Sequence, residues 1–75
     1  MYFEQALQRL RQQLRDEVRN GELTERGLAR RAGCSQPHIH NVLKGRRILT
    51  PRTADQMLRA RALQLEDLLK SADGD

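Results

Sequence analysis

Apolar residues recur at spacings of three and four along almost the whole chain, and no segment alternates with period two. Spacings of three and four stack side chains on one face of a helix, whereas a half-buried strand needs alternation. The chain is therefore predicted to be all-α. Phe3, Leu7, Leu10, Leu14 and Val18 form the longest stripe, and Asn20-Gly21 ends it with two residues that tolerate the left-handed conformation. Leu28, Ala29 and Ala32 form a short second stripe between Thr24, a good N-cap, and Gly33. Ile39, Val42 and Leu43 form the third. Ser35 caps it, Pro37 sits in its first turn where a missing N–H costs nothing, and Gly45 stops it. Thr50-Pro51 opens a fourth helix with Ala54, Met57, Leu58 and Ala62 on its stripe. Leu65, Leu68 and Leu69 lie on a last short helix or on an extension of the fourth.

Seventy-five residues allow one domain, expected over residues 1–70, with a polar, flexible tail at 71–75. Only 37% of the chain is apolar, and Tyr2 and Phe3 are its two aromatics. So thin a core calls for tight helix packing or a partner chain. No run of about 18 apolar residues exists, which excludes a membrane-spanning helix. Glu4, Gln5, Gln8 and Arg9 interrupt any signal-peptide core, and one cysteine forms no internal disulfide. A cytoplasmic protein is the expectation.

Charge is unevenly spread. From Arg26 to Ala54 there is no acidic residue, while seven bases and both histidines fall there. Residues 55–75 carry three bases against five acids. A solvated surface mixes the signs, whereas a one-sign block tracks a polyanion, so nucleic acid is the expected partner.

The middle of the chain is the most informative. Two short helices meet at Ala32-Gly33-Cys34-Ser35, a short turn containing glycine, which is helix-turn-helix spacing. Ala29 lets the two helices cross closely, Gly33 supplies the positive φ, Cys34 plugs the turn, and Ser35 satisfies N–H groups of the third helix. With Ile39 and its neighbours turned to the core, Pro37, Asn41 and Lys44 lie on the far side at about 100° per residue. His40 flanks them and Gln36 stands at the N-terminal tip. Gln and Asn side chains pair bidentately with adenine, and Pro37 offers only apolar contact, for instance to a thymine methyl.

The segment Leu23–Arg47, LTERGLARRAGCSQPHIHNVLKGRR, resembles the lambda-repressor-like (XRE, Cro-type) helix-turn-helix family. The matching positions are Leu23-Thr24, Leu28-Ala29, Gly33, Ser35-Gln36, Ile39 and Gly45-Arg46-Arg47. The resemblance extends to about Leu69 and implies a compact bundle of about five helices. It implies that the third helix docks in the major groove of double-stranded DNA. Gln36, Pro37, His40 and Asn41 would then read bases, and Thr24, Arg26, Ser35, Lys44, Arg46 and Arg47 would meet phosphates. It also implies a bacterial or phage transcriptional regulator, most often a repressor acting by occupancy.

Three departures stand out. Gly27 replaces a helix-favouring residue, costs about 1 kcal/mol of propensity, and removes the capping-box partner of Thr24. The connection ALQLEDLL lacks the usual glycine and serine cap, leaving the fourth and fifth helices fused or differently angled. Glu25 would repel a nearby phosphate unless a base offsets it.

Other readings have less support. Cys34, His38 and His40 crowd one turn without a fourth ligand, so no metal is expected. No carboxylate pair, Cys-His-Asn pattern or phosphate-binding glycine loop appears, so no catalysis and no cofactor are expected. A homodimer on a palindromic site is expected, because one short helix reads few base pairs. Its surface is either the N-terminal helix with Tyr2 and Phe3 or the leucine-rich C-terminal segment. The alternative function is a protein-interaction module, antitoxin-like, with secondary or no DNA binding.

Overall fold

Each apolar stripe becomes a helix. The computed structural model describes the backbone of residues 2–73 and the side chains of residues 4–70. In chain order the helices are α1 (Tyr2–Arg19), α2 (Glu25–Ala32), α3 (Gln36–Leu43) and α4 (Pro51–Asp73). The described residues contain no strand. Caps form where the polar residues stand. Thr24 Oγ1 accepts from Gly27 N, Ser35 Oγ from His38 N, and Thr50 Oγ1 from Thr53 N. Gly33 adopts φ 74°, which lets the chain leave α2 while its N–H still bonds Ala29 O.

The described residues form four helices, not about five. Nothing between Pro51 and Asp73 breaks the helix: no glycine, no further proline and no capping pair interrupts ALQLEDLL, so the expected fourth and fifth helices are one rod of 23 residues. That rod runs to Asp73, into the segment expected as a tail, while Gly74 and Asp75 lie outside the described residues. The side chains of Tyr2 and Phe3 also lie outside them.

The main core gathers Leu14 from α1, Leu23 from the first loop, Leu28 and Ala29 from α2, Ile39 and Leu43 from α3, and Met57 and Ala60 from α4. A second, smaller cluster joins Val42, Leu49 and Ala54, with Leu7 and Leu10 packed on it. The α4 stripe is rotated from the expected one. Ala54, Met57 and Ala60 face inward, while Leu58 and Ala62 are exposed. Ala29 of α2 and Ala60 of α4 are both buried in this core, and side chains so small let the two helices approach closely.

Polar side chains fasten the long helices. Arg61 of α4 forks onto Glu17 of α1, with Nε donating to Oε1 at 2.8 Å and Nη2 to Oε2 at 2.6 Å. Glu17 is only 8% exposed. The Arg61 hydrogen bonds outweigh burial and hold its carboxyl below the usual carboxylate value. The Glu17 carbonyl also accepts from Glu22 N and Leu23 N, which shapes the turn after α1. Arg31 of α2 pairs with Asp67 of α4 and holds that carboxyl low as well.

The acid response follows from the sign of these shifts. Folded Glu17 binds its proton less tightly than the unfolded side chain. Its stabilisation is therefore complete above the ordinary value of 4.5 and is lost as pH falls through the lower, folded-state value. The thermal unfolding midpoint should fall as pH drops below about 4.5. Glu17→Gln should cost about 1.5–3 kcal/mol near neutral pH and remove part of the acid loss. An acid limb identical to that of the parent would show that Glu17 does not carry it.

Candidate nucleic-acid interface

The helix-turn-helix stands on α2 and α3, eight residues each. Isolated helices of that length are marginal in water, so their arrangement rests on tertiary contacts. Ile39, Val42 and Leu43 are buried, which turns the other side of α3 outward. Gln36 and Pro37 are exposed there, and Asn41 and His40 are half-buried. These four residues and Glu25 line one shallow concavity. A second shallow surface joins Gln36 to Thr24, Glu25 and Arg26 at the start of α2. Every expected base-reading residue is thus brought together, with Thr24 and Arg26 beside them.

The remaining bases lie at the other end of α3. Lys44, Arg46 and Arg47 are all exposed. Asn41 O accepts from Arg46 N at 2.9 Å and from Arg47 N at 3.3 Å. The carbonyl of one expected base reader therefore fixes the loop that carries the expected phosphate contacts. Arg11 of α1 reaches the same end of α3, donating from Nε to Val42 O at 3.1 Å and from Nη2 to Arg47 O at 3.5 Å. A cation at a helix C-terminus also complements the helix dipole. Arg46 and Arg47 border a groove with Arg11 and do not line the concavity around Gln36.

Thr24 and Ser35 act first as caps. Each hydroxyl oxygen accepts within the protein, so its O–H stays available to an outside acceptor such as a phosphate oxygen. Cys34 packs against the main core, and burial pushes its thiol up, away from the reactive thiolate. No group of three or more potential metal ligands gathers among the described residues.

Three features escaped sequence reasoning. Glu25 lies 3.0 Å from His40 Nδ1, so the acid that would face a phosphate has a partner from the next helix. Arg15 and Arg19 of α1 border a recess with Glu25 and Lys44, adding bases from a helix read only as core and flank. The four-residue spacing of Arg11, Arg15 and Arg19 signals one basic face of α1. The third feature is Gln64. Its Nε2 donates to Thr24 Oγ1 at 3.0 Å, and its Oε1 accepts from Thr24 N at 3.5 Å. A capping-box Gln or Glu at position 27 would make the latter contact. Gln64 delivers it from α4 instead, through space that Gly27 leaves open: a Cβ there would overlap the Gln64 amide and lie 2.8 Å from Thr24 Oγ1.

A helix-turn-helix domain family matches residues 5–70. The chain belongs to that family, and its type is the lambda-repressor-like (XRE) one. The match spans the caps, the glycine turn and nearly all of α4, so the family covers the whole bundle and not the central motif alone. No curated protein and no solved structure matches the chain.

The Gly27–Gln64 contact predicts a coupled pair. Gly→Ala inside a helix ordinarily gains about 1 kcal/mol. Here Gly27→Ala should gain much less, because it displaces Gln64 from Thr24. In a Gln64→Ala background the same change should recover part of that gain, the Thr24 hydroxyl still crowding the new Cβ. A double-mutant cycle by chemical denaturation checks this, and strictly additive values would show that the two residues do not interact.

Proposed function

We propose that this domain is a sequence-specific DNA-binding transcriptional regulator that docks α3 in the major groove. The observation that carries the proposal is the outward face of α3. Gln36, Pro37 and Asn41 stand together, exposed Arg26 lies on the adjoining surface, exposed Lys44, Arg46 and Arg47 stand at the other end of α3, and the bordering Glu25 is paired with His40. Gln36, Pro37, His40 and Asn41 read base edges in this proposal. Thr24, Arg26, Ser35, Lys44, Arg46 and Arg47 hold phosphates and set the register. Repression by occupancy, with two copies on a palindromic site, completes the reading. Neither catalysis nor a cofactor enters it. No helix among the described residues is long and apolar enough to cross a membrane.

A second reading has one observation in its favour. Leu63, Leu68 and Leu69 are exposed on α4, as a module that holds another protein would require. Titration of isotope-labelled protein with random duplex DNA at two salt concentrations separates the two readings. Amide shifts at Thr24–Arg26, Gln36–Lys44 and Arg46–Arg47 that shrink with salt support groove docking. Their absence at low salt puts the protein-binding reading first.

The assigned roles give different mutational signatures. Asn41→Ala should cost about 1–3 kcal/mol on a selected operator and little on random DNA. Arg46→Ala or Arg47→Ala should weaken both alike and reduce the salt slope by about one. Equal losses for Asn41→Ala on operator and random sequence would remove it from the base readers.

A further inference from the structure

The outer face of α4 has no covering element. Leu58, Ala62, Leu65 and Leu69 follow at spacings of four, three and four, the seam pattern of paired helices. Leu58 is 48% exposed and Leu69 65%, Ala62 is exposed, and Leu65 is half-buried, with one side packed on the main core. Ala62 has the small side chain that lets two helices approach closely. At its N-terminal end the seam opens into an apolar groove between α1 and α4, lined by Ala6, Leu7, Leu10, Ala54 and Leu58.

The charges beside the seam are arranged for self-pairing. Arg59 and Glu66 are seven residues apart and so lie on the same flank. Their present partners are exposed neighbours on the same helix: Asp55 for Arg59 at 3.3 Å and Lys70 for Glu66 at 3.7 Å. When two copies of α4 lie antiparallel about a two-fold axis, Leu58 meets Leu69 of the second copy and Ala62 meets Leu65. Arg59 then faces Glu66 of the second copy, twice by symmetry. A parallel pair would ask Arg61 to serve Glu66, and Arg61 is already held by Glu17.

We propose that α4 is a self-association surface, occupied by the same face of a second copy in antiparallel register, with Arg59 opposite Glu66 across the pair. This deepens the two-copy part of the proposed function and does not depend on DNA contact by α3. The seam from Leu58 to Leu69 is about 17 Å long at 1.5 Å per residue. So short a contact falls below the roughly 800 Å² per partner of stable complexes, so the dimer should be weak, with Kd on the order of tens of micromolar or weaker.

Analytical ultracentrifugation of the full chain over a wide concentration range tests this, with circular dichroism to check folding. The expected result is a reversible monomer–dimer equilibrium. Leu69→Glu and Leu58→Glu, both at exposed positions, should each raise Kd at least about tenfold. Arg59→Glu alone and Glu66→Arg alone each place like charges at both symmetry-related contacts, and should each weaken self-pairing about tenfold over the two sites. An equimolar mixture of these two variants restores opposite charges at both contacts and should pair as well as the parent. A chain that is monomeric at every concentration overturns self-association itself. A dimer indifferent to these four substitutions, or a mixture that pairs no better than its components, overturns the antiparallel α4 seam. The α3 shifts on DNA are read separately, so failure here is distinguishable from failure of DNA binding.

Discussion

The fork between Arg61 and Glu17 holds together the frame on which the rest depends. Glu17 sits near the end of α1, its carboxylate takes both guanidinium donors from α4, and its carbonyl takes two N–H groups from the loop leading to Leu23. One residue thus ties the first helix, the first loop and the last helix. An almost buried carboxylate is stable there only because the Arg61 fork satisfies it; without that partner, the desolvation penalty would fall on an unpaired charge.

The outward face of α3 borrows its geometry from this frame. With only eight residues, α3 has little helical stability of its own. Leucine and isoleucine packing sets its rotation, and Arg11 holds the Val42 carbonyl near its C-terminus. Gln64 reaches across from α4 to cap α2, and Glu25 meets His40 across the turn. The same long helix that steadies α2 and α3 leaves leucines uncovered on its other side. A single rod therefore packs against the motif on one face and carries exposed leucines on another.

Much of this was legible in local chemistry. Thr24, Gly33, Ser35, Pro37 and Pro51 mark helix ends by mechanisms that involve only near neighbours, and the structure has caps and turns at those points. Outward placement of Gln36, Pro37 and Asn41 followed from helical periodicity once Ile39 was assigned to the core. The α4 stripe was less legible. Leu58 looked like core because it is large and apolar, yet Ala60 is buried and Leu58 is not, since close approach of α2 selects a small side chain. Gly27 looked like a defect within its own helix, and its use as space for Gln64 depends on a residue 37 positions later.

The sequence by itself determined the all-α class, the three capped helix starts after Thr24, Ser35 and Thr50, the short turn and the acid-free basic block, because caps, periodicity and charge are properties of neighbouring residues. Tertiary structure alone decided which acids and bases pair, that the last two expected helices act as one rod against the bundle, and which leucines stay uncovered. Those outcomes depend on distances between segments 15 to 44 residues apart, such as Glu25–His40 and Glu17–Arg61, and no local pattern encodes them.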